Sequence, residues 1–158
     1  MDLIGFETHD HAACRSGGLK AAQAYCDANG LRLTPLRLRV LELLLESHKA
    51  LGAYDLLDRI RTEGLGSQPP VIYRALDFLR QHGFAHRLER LNAFIACAHP
   101  DGDAHRPAFL ICRECKLVAE AAAPHHAALT ALADETGFAI ERVVFEAEGL
   151  CPACQAEA

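Results

Sequence analysis

Four of the seven cysteines in this 158-residue chain stand in two C-x-x-C pairs, Cys112 with Cys115 and Cys151 with Cys154. Each pair presents two thiolates about one tetrahedral edge apart, and two such pairs complete a closed four-sulfur zinc site. The 35 residues between the pairs exceed the usual ribbon spacing, and a strand-helix-strand insert accounts for the length. The same residues also admit a rubredoxin-like iron centre, since Cys151-Pro152-Ala153-Cys154 has the Cys-Pro-x-Cys form, or a thiol–disulfide pair. Structural zinc is the expectation. An odd number of cysteines reads as metal ligation in a reducing compartment before it reads as a disulfide framework.

A second set of donors is more dispersed: His86, Cys97, His105 and Glu120, with His99 an alternative to His105. Two nitrogens, one thiolate and one carboxylate suit zinc, and the thiolate disfavours magnesium or calcium. By spacing alone these histidines read more readily as ordinary exposed side chains. His9, His11 and Cys14 offer further donors, but in a stretch that reads as a loose terminal arm.

The elements that must position these donors change character along the chain. The first helix is expected over 19–28, with Cys26 on its apolar face and Ser16 as cap. Thr34-Pro35 starts a second helix whose stripe is Leu38, Leu41, Leu44 and Leu45, with Arg37 and Arg39 on the other side. A third helix covers 53–63 and a fourth about 70–81, the latter buried through Ile72, Leu76 and Leu79 and closed by Gly83. Two alternating runs, 84–88 and 93–97, form a hairpin turning at Arg90-Leu91-Asn92. Beyond a loop over 100–107 come short strands over 108–112 and 116–120, a helix from Pro124 to Glu135 and a strand over 138–148. His82, at a helix end, is expected to meet free carbonyls; His125 and His126 are expected to face solvent.

Helix, turn, helix and wing is the order of a winged helix-turn-helix, which would place the fourth helix in a major groove with Tyr73 and Arg74 towards the bases. The charge distribution agrees: residues 31–92 sum to +3, residues 93–158 to −6 and the first thirty to −2. The expected fold class is therefore α+β. A flexible arm (1–15) precedes a winged-helix DNA-binding domain (16–98), a hinge loop (99–107) and a small α/β dimerisation domain (108–158) carrying the four-cysteine zinc knuckle. The acidic second half, with an exposed strand edge, suits a homodimer.

Composition excludes other classes. No apolar run approaches the roughly 18 residues of a membrane span, and the N-terminus MDLIGFETHDHAACRSG has acids where a signal peptide needs a basic start. A cytoplasmic protein is expected. Neither the H-x-E with P-C-x-x-C pattern of zinc deaminases nor the H-E-x-x-H of zincins occurs, so no enzyme and no small-molecule substrate are expected.

Five stretches carry a family resemblance: LRLTPLRLRVLELL, AYDLLDRIR, PPVIYRALDFLRQHGFAHRLE, FLICRECKLVAE and EAEGLCPAC. The chain resembles the ferric-uptake-regulator superfamily over roughly residues 18–154, closest to its zinc-uptake branch. That resemblance implies a transcriptional repressor binding double-stranded operator DNA as a zinc-loaded homodimer, with two zinc ions per chain. It implies structural zinc on Cys112, Cys115, Cys151 and Cys154. It implies regulatory zinc on His86 (the histidine of G-F-x-H), Cys97 (closing the wing), His105 (before the knuckle) and Glu120 (after it). DNA contacts implied by the family are Tyr54 and Arg74; Tyr73 and Arg37 join them from the helical pattern. Departures narrow the branch. The chain has AHPDGDAH where iron-sensing members carry H-H-x-H-D-H, and Cys97 is foreign to peroxide sensors with nitrogen and oxygen ligands only. Val71 stands where relatives commonly have Thr or Ser before V-Y-R, and Ser67 is the candidate to replace that hydroxyl. An iron- or manganese-sensing regulator is the alternative within the family.

Overall fold

The computed structural model describes residues 4–7, 10–65, 68–98 and 106–158. Four helices open the chain: α1 (His11–Ala28), α2 (Pro35–Leu45), α3 (Ala53–Thr62) and α4 (Pro69–Gln81). A hairpin, β1 (Ala85–Leu88) with β2 (Ala93–Ala96), follows them. The second half contains β3 (Pro107–Cys112), β4 (Val118–Ala122), α5 (Ala127–Thr136), β5 (Phe145–Gly149) and the short α6 (Pro152–Ala156).

Local chemistry explains most of the helix boundaries. Thr34 caps α2 by accepting from the Arg37 amide, with Pro35 at the first helical position. The Asp55 carboxylate accepts from the Gly52 amide at the start of α3. Gly137 ends α5 in the left-handed region at φ +69. The helices bury Leu41, Leu44, Leu56, Ile60, Ile72, Leu76 and Leu79 in one core, and Cys26 lies within it as a small apolar residue.

Four expectations need correcting. The arm expected over 1–15 is helical from His11 onward, because the Asp10 carboxylate accepts from the Ala12 amide and starts α1 far earlier than Ser16. The boundary drawn between residues 15 and 16 therefore falls inside a helix. The strand expected over 138–148 is paired only from Phe145, since residues 138–144 have no ladder partner among the described residues. The strand expected over 116–120 begins at Val118, as Lys116 turns the chain at φ +66. His82 ends α4, yet its ring meets side chains: Tyr25 Oη lies 3.5 Å from Nδ1, and Phe78 packs 4.7 Å away between centroids.

The second half is a three-stranded sheet in the order β4-β3-β5, with β3 antiparallel to β4 and parallel to β5. The parallel pair requires a crossover, which β4 and α5 supply. Its register sets Cys112 opposite Gly149, so the two C-x-x-C turns emerge side by side. The two halves are also stitched through the α2–α3 connection. Leu51 exchanges two backbone hydrogen bonds with Phe94 of the wing (2.9 and 2.8 Å), and the His48 carbonyl accepts from Val118 of β4 (2.8 Å). Leu88 and Ile95 of the wing then pack with Phe109, Ile111 and Val118 of the sheet in a second apolar cluster.

Candidate metal centres

Cys112 closes β3, Cys115 ends the tight turn after it, and Cys151 and Cys154 flank the start of α6. Their four sulfurs all lie within 4.8 Å of one another, and Cys115 and Cys151 are 3.7 Å apart. Zinc–sulfur bonds of about 2.3 Å imply tetrahedral edges of about 3.8 Å, so the donor set fits a closed four-thiolate site. A disulfide would need sulfurs about 2.05 Å apart.

The protonation pattern points the same way. The Cys151 amide donates to the Cys112 sulfur, and with the Cys115 and Glu114 amides it outweighs burial and lowers that thiol to about 6. Cys154 is pushed up to about 12, first by its hydrogen bond with the Cys151 thiol and then by burial. Cys115 is pulled down by the Leu117 amide but ends above its ordinary range through burial and its bonds to Cys112 and Cys151. The backbone favours a thiolate at Cys112, whereas Cys115 and Cys154 would ionise only beside a bound cation.

The second set brings together three of its four expected donors. His86 comes from β1, Cys97 follows β2, and Glu120 comes from β4 of the other half. His86 Nε2 lies 3.3 Å from Glu120 Oε1, Cys97 Sγ lies 3.8 Å from the same oxygen, and all three donor atoms fall within 4.8 Å. With nitrogen and oxygen at about 2.0–2.2 Å from zinc, a tetrahedral edge is about 3.4 Å, which these separations suit. Glu120 is only 3 % exposed, and its second oxygen accepts from the Ala98 amide at 2.9 Å. A carboxylate buried so deeply, beside an imidazole and a thiol, belongs to a polar centre rather than an apolar core. His105 and His99 lie outside the described residues, as do His9 and Ser67; Cys14 is exposed, and the His11 ring meets that of His48 at a tilt of 49°, 5.1 Å between centroids.

The expected DNA-facing residues lie on the helical half. Tyr54 is 64 % and Tyr73 42 % exposed, and Arg74 is exposed beside Tyr73 on α4. Arg37 is engaged within the protein: its guanidinium lies 3.8 Å over the Phe78 ring and donates to the Arg32 carbonyl at 2.7 Å. His125 is exposed, as expected, whereas His126 is partly buried.

Three contacts escaped the sequence-based reading. Ile4 exchanges two backbone hydrogen bonds with Glu120 (3.0 and 2.8 Å), the α2–α3 connection stitches wing to sheet, and Glu146 of β5 receives the wing turn. All are long-range pairings for which the local pattern carries no signal.

A four-helix core with a wing, joined to a small sheet that ends in a four-thiol cluster, defines a winged-helix protein with a C-terminal metal knuckle. The ferric uptake regulator family model matches residues 28–147, and the chain belongs to that family. It is 42% identical over 137 residues to the zinc uptake regulation protein of Escherichia coli (strain K12), covering 86% of this chain and 80% of that one. A solved zinc uptake regulator complexed with zinc and DNA superposes with a TM-score of 0.83 at 40% identity, over 90% of this chain and 96% of that one. Two crystal structures of XcZur each cover 90% of this chain and 99% of theirs. The holo form has a TM-score of 0.75 at 39% identity, the apo form 0.52 at 38%.

Proposed function

We propose that this chain is a zinc-responsive transcriptional repressor that binds operator DNA as a zinc-loaded homodimer and shuts off zinc-uptake genes. The observation that carries this reading is the meeting of wing donors with a donor of the other half: His86 and Cys97 against Glu120. The better match to the zinc-and-DNA complex and the holo form than to the apo form supports taking this arrangement as the metal-loaded one.

Two zinc ions per chain are assigned. Cys112, Cys115, Cys151 and Cys154 hold a structural ion; His86, Cys97, Glu120 and, as the fourth donor, His105 hold a regulatory one. Bound zinc supplies a Lewis-acid centre that draws anionic sulfur and oxygen and neutral imidazole to fixed directions. His86 and Cys97 orient the wing, Glu120 anchors it to the sheet, and the Ala98 amide holds the carboxylate in place. The wing and α4 share the helical half, so fixing one sets the direction of the other.

Division of labour follows. The winged half up to residue 98 reads DNA through Tyr54, Tyr73 and Arg74, with Arg37 supporting α4 at Phe78. The hinge assigned to 99–107 lies outside the described residues up to 105, and residues 108–158 assemble the dimer. A groove of about 510 Å³ on that half is lined by Leu129, Leu132, Phe138 and Val144, all exposed. Together with the segment 138–144, which has no ladder partner among the described residues, it suits a second copy of the chain. No helix among the described residues is long and apolar enough to cross a membrane, and a repressor of chromosomal operators works in the cytoplasm.

The test is operator binding titrated with zinc, iron and manganese against a chelator, with metal analysis. Zinc-selective binding with two zinc ions per chain is expected. Selective activation by iron or manganese would transfer the chain to the alternative reading.

A further inference from the structure

The sheet register places two acidic side chains in one row. Phe109 of β3 pairs with Glu120 of β4 on one side and with Glu146 of β5 on the other. Directly paired residues share a face of a sheet, so both carboxylates stand on the face that carries Phe109. The next residues on that face form a second row: Val118, Ile111 and Glu148. The wing packs onto this face, with Leu88 and Ile95 against Phe109, Ile111 and Val118. One flank of the apolar patch is thus Glu120, which meets the base of the wing at His86 and Cys97. The other flank is the Glu146/Glu148 column, which meets the tip.

Contacts at the tip are specific. The Glu146 carboxylate accepts from two successive backbone amides, Glu89 at 2.6 Å and Arg90 at 2.9 Å. Two consecutive N–H groups turned towards one point form a small anion-binding concavity, here filled by a side chain of the other half. Around it, Arg90 forks onto Glu148 at 3.0 and 3.1 Å, and Arg142 donates to Glu89 at 2.9 Å. The Arg–Glu pairs are exposed and contribute little alone. The Glu146 bonds differ, because their two donors are main-chain amides held in place by the wing turn itself.

We propose that Glu146 is a positioning residue for operator binding: by holding the Glu89 and Arg90 amides it latches the wing tip to the sheet. Zinc donors at the base and Glu146 at the tip then fix the wing at two ends. One end depends on metal; the other does not. Without Glu146 the zinc donors, the His48–Val118 bond and the apolar cluster hold only the base and middle of the hairpin, and the direction of its tip is no longer set. The inference rests on the repressor function proposed above.

Full-length Glu146→Ala and Glu146→Gln test it, read in two ways. Hydrogen exchange at the Glu89 and Arg90 amides, on protein without DNA, reports the latch itself. Protection in the wild type and its loss in Glu146→Ala are expected, with Glu146→Gln intermediate because it retains one acceptor oxygen. Operator affinity at saturating zinc should fall about tenfold or more in Glu146→Ala, the scale set by losing hydrogen bonds to a charged group. Zinc content and dimer mass should not change. Unprotected amides in the wild type would overturn the latch; exposed amides with wild-type operator affinity would overturn its positioning role. Should the wild type show no zinc-dependent operator binding, the repressor function falls, while amide exchange still decides the latch.

Discussion

The two candidate metal centres of this molecule are built on opposite principles. The four cysteines lie within one half, on two turns that parallel pairing of β3 and β5 sets side by side. His86, Cys97 and Glu120 straddle both halves, and only the docking of wing on sheet brings them together. A centre inside one half stabilises that half whatever the other is doing. A centre across the junction is formed only in one arrangement, and so reports on it. Donor chemistry alone would not have drawn this distinction, since both sets suit zinc. Topology draws it.

The sharpest way to break the contrast is to remove one thiolate from each centre. Cys115→Ser should have the largest effect, because binding energy at a closed structural site is folding energy, about 10–16 kcal/mol for small zinc domains. Loss of zinc, a lower melting temperature and monomer or aggregate in sizing are expected. A stable zinc-bound dimer would contradict the structural assignment. Cys97→Ser should leave a folded dimer with its structural zinc, yet raise the zinc needed for operator binding by more than about 100-fold, since losing even an outer partner of a metal ligand costs about 10–100-fold. Circular dichroism and operator titration decide between this and a merely buried cysteine, which would leave zinc dependence intact.

Arg74→Ala sharpens the contrast from the DNA side. If Arg74 reads a base edge, operator affinity should fall by about 1–3 kcal/mol. Affinity for random DNA should change much less, and both metal contents should stay constant. Equal losses on operator and random DNA would assign Arg74 to the phosphate backbone instead.

How much of this was legible in the sequence follows the same division. The four cysteines announce themselves because each C-x-x-C turn is local and its chemistry needs no distant partner. Thr34-Pro35 and Gly137 mark helix ends for the same reason. The second set was not legible from spacing: nothing in the letters around His86 shows that it will face Glu120, and family resemblance supplied that pairing. Asp10 is a cap in plain view, but the residues around it carry no helical periodicity to show that a helix follows. The expected strand from Phe138 came from β-branched composition, which cannot say whether a neighbouring strand is present to pair with it. Glu146 reads as a solvated charge in an acidic stretch; only the register of β5 on β3 aims it at the wing turn.

The central claim, that the junction centre couples zinc to DNA, is tested most directly by one linkage measurement. The affinity of the second zinc is measured by chelator competition with and without operator DNA, beside operator affinity with and without that zinc. Because coupling is reciprocal, operator should tighten the second zinc by the same factor by which zinc tightens operator, typically about 5–150-fold, while the first zinc is unmoved. A second zinc whose affinity ignores operator, or a first zinc that responds in its place, would contradict the account.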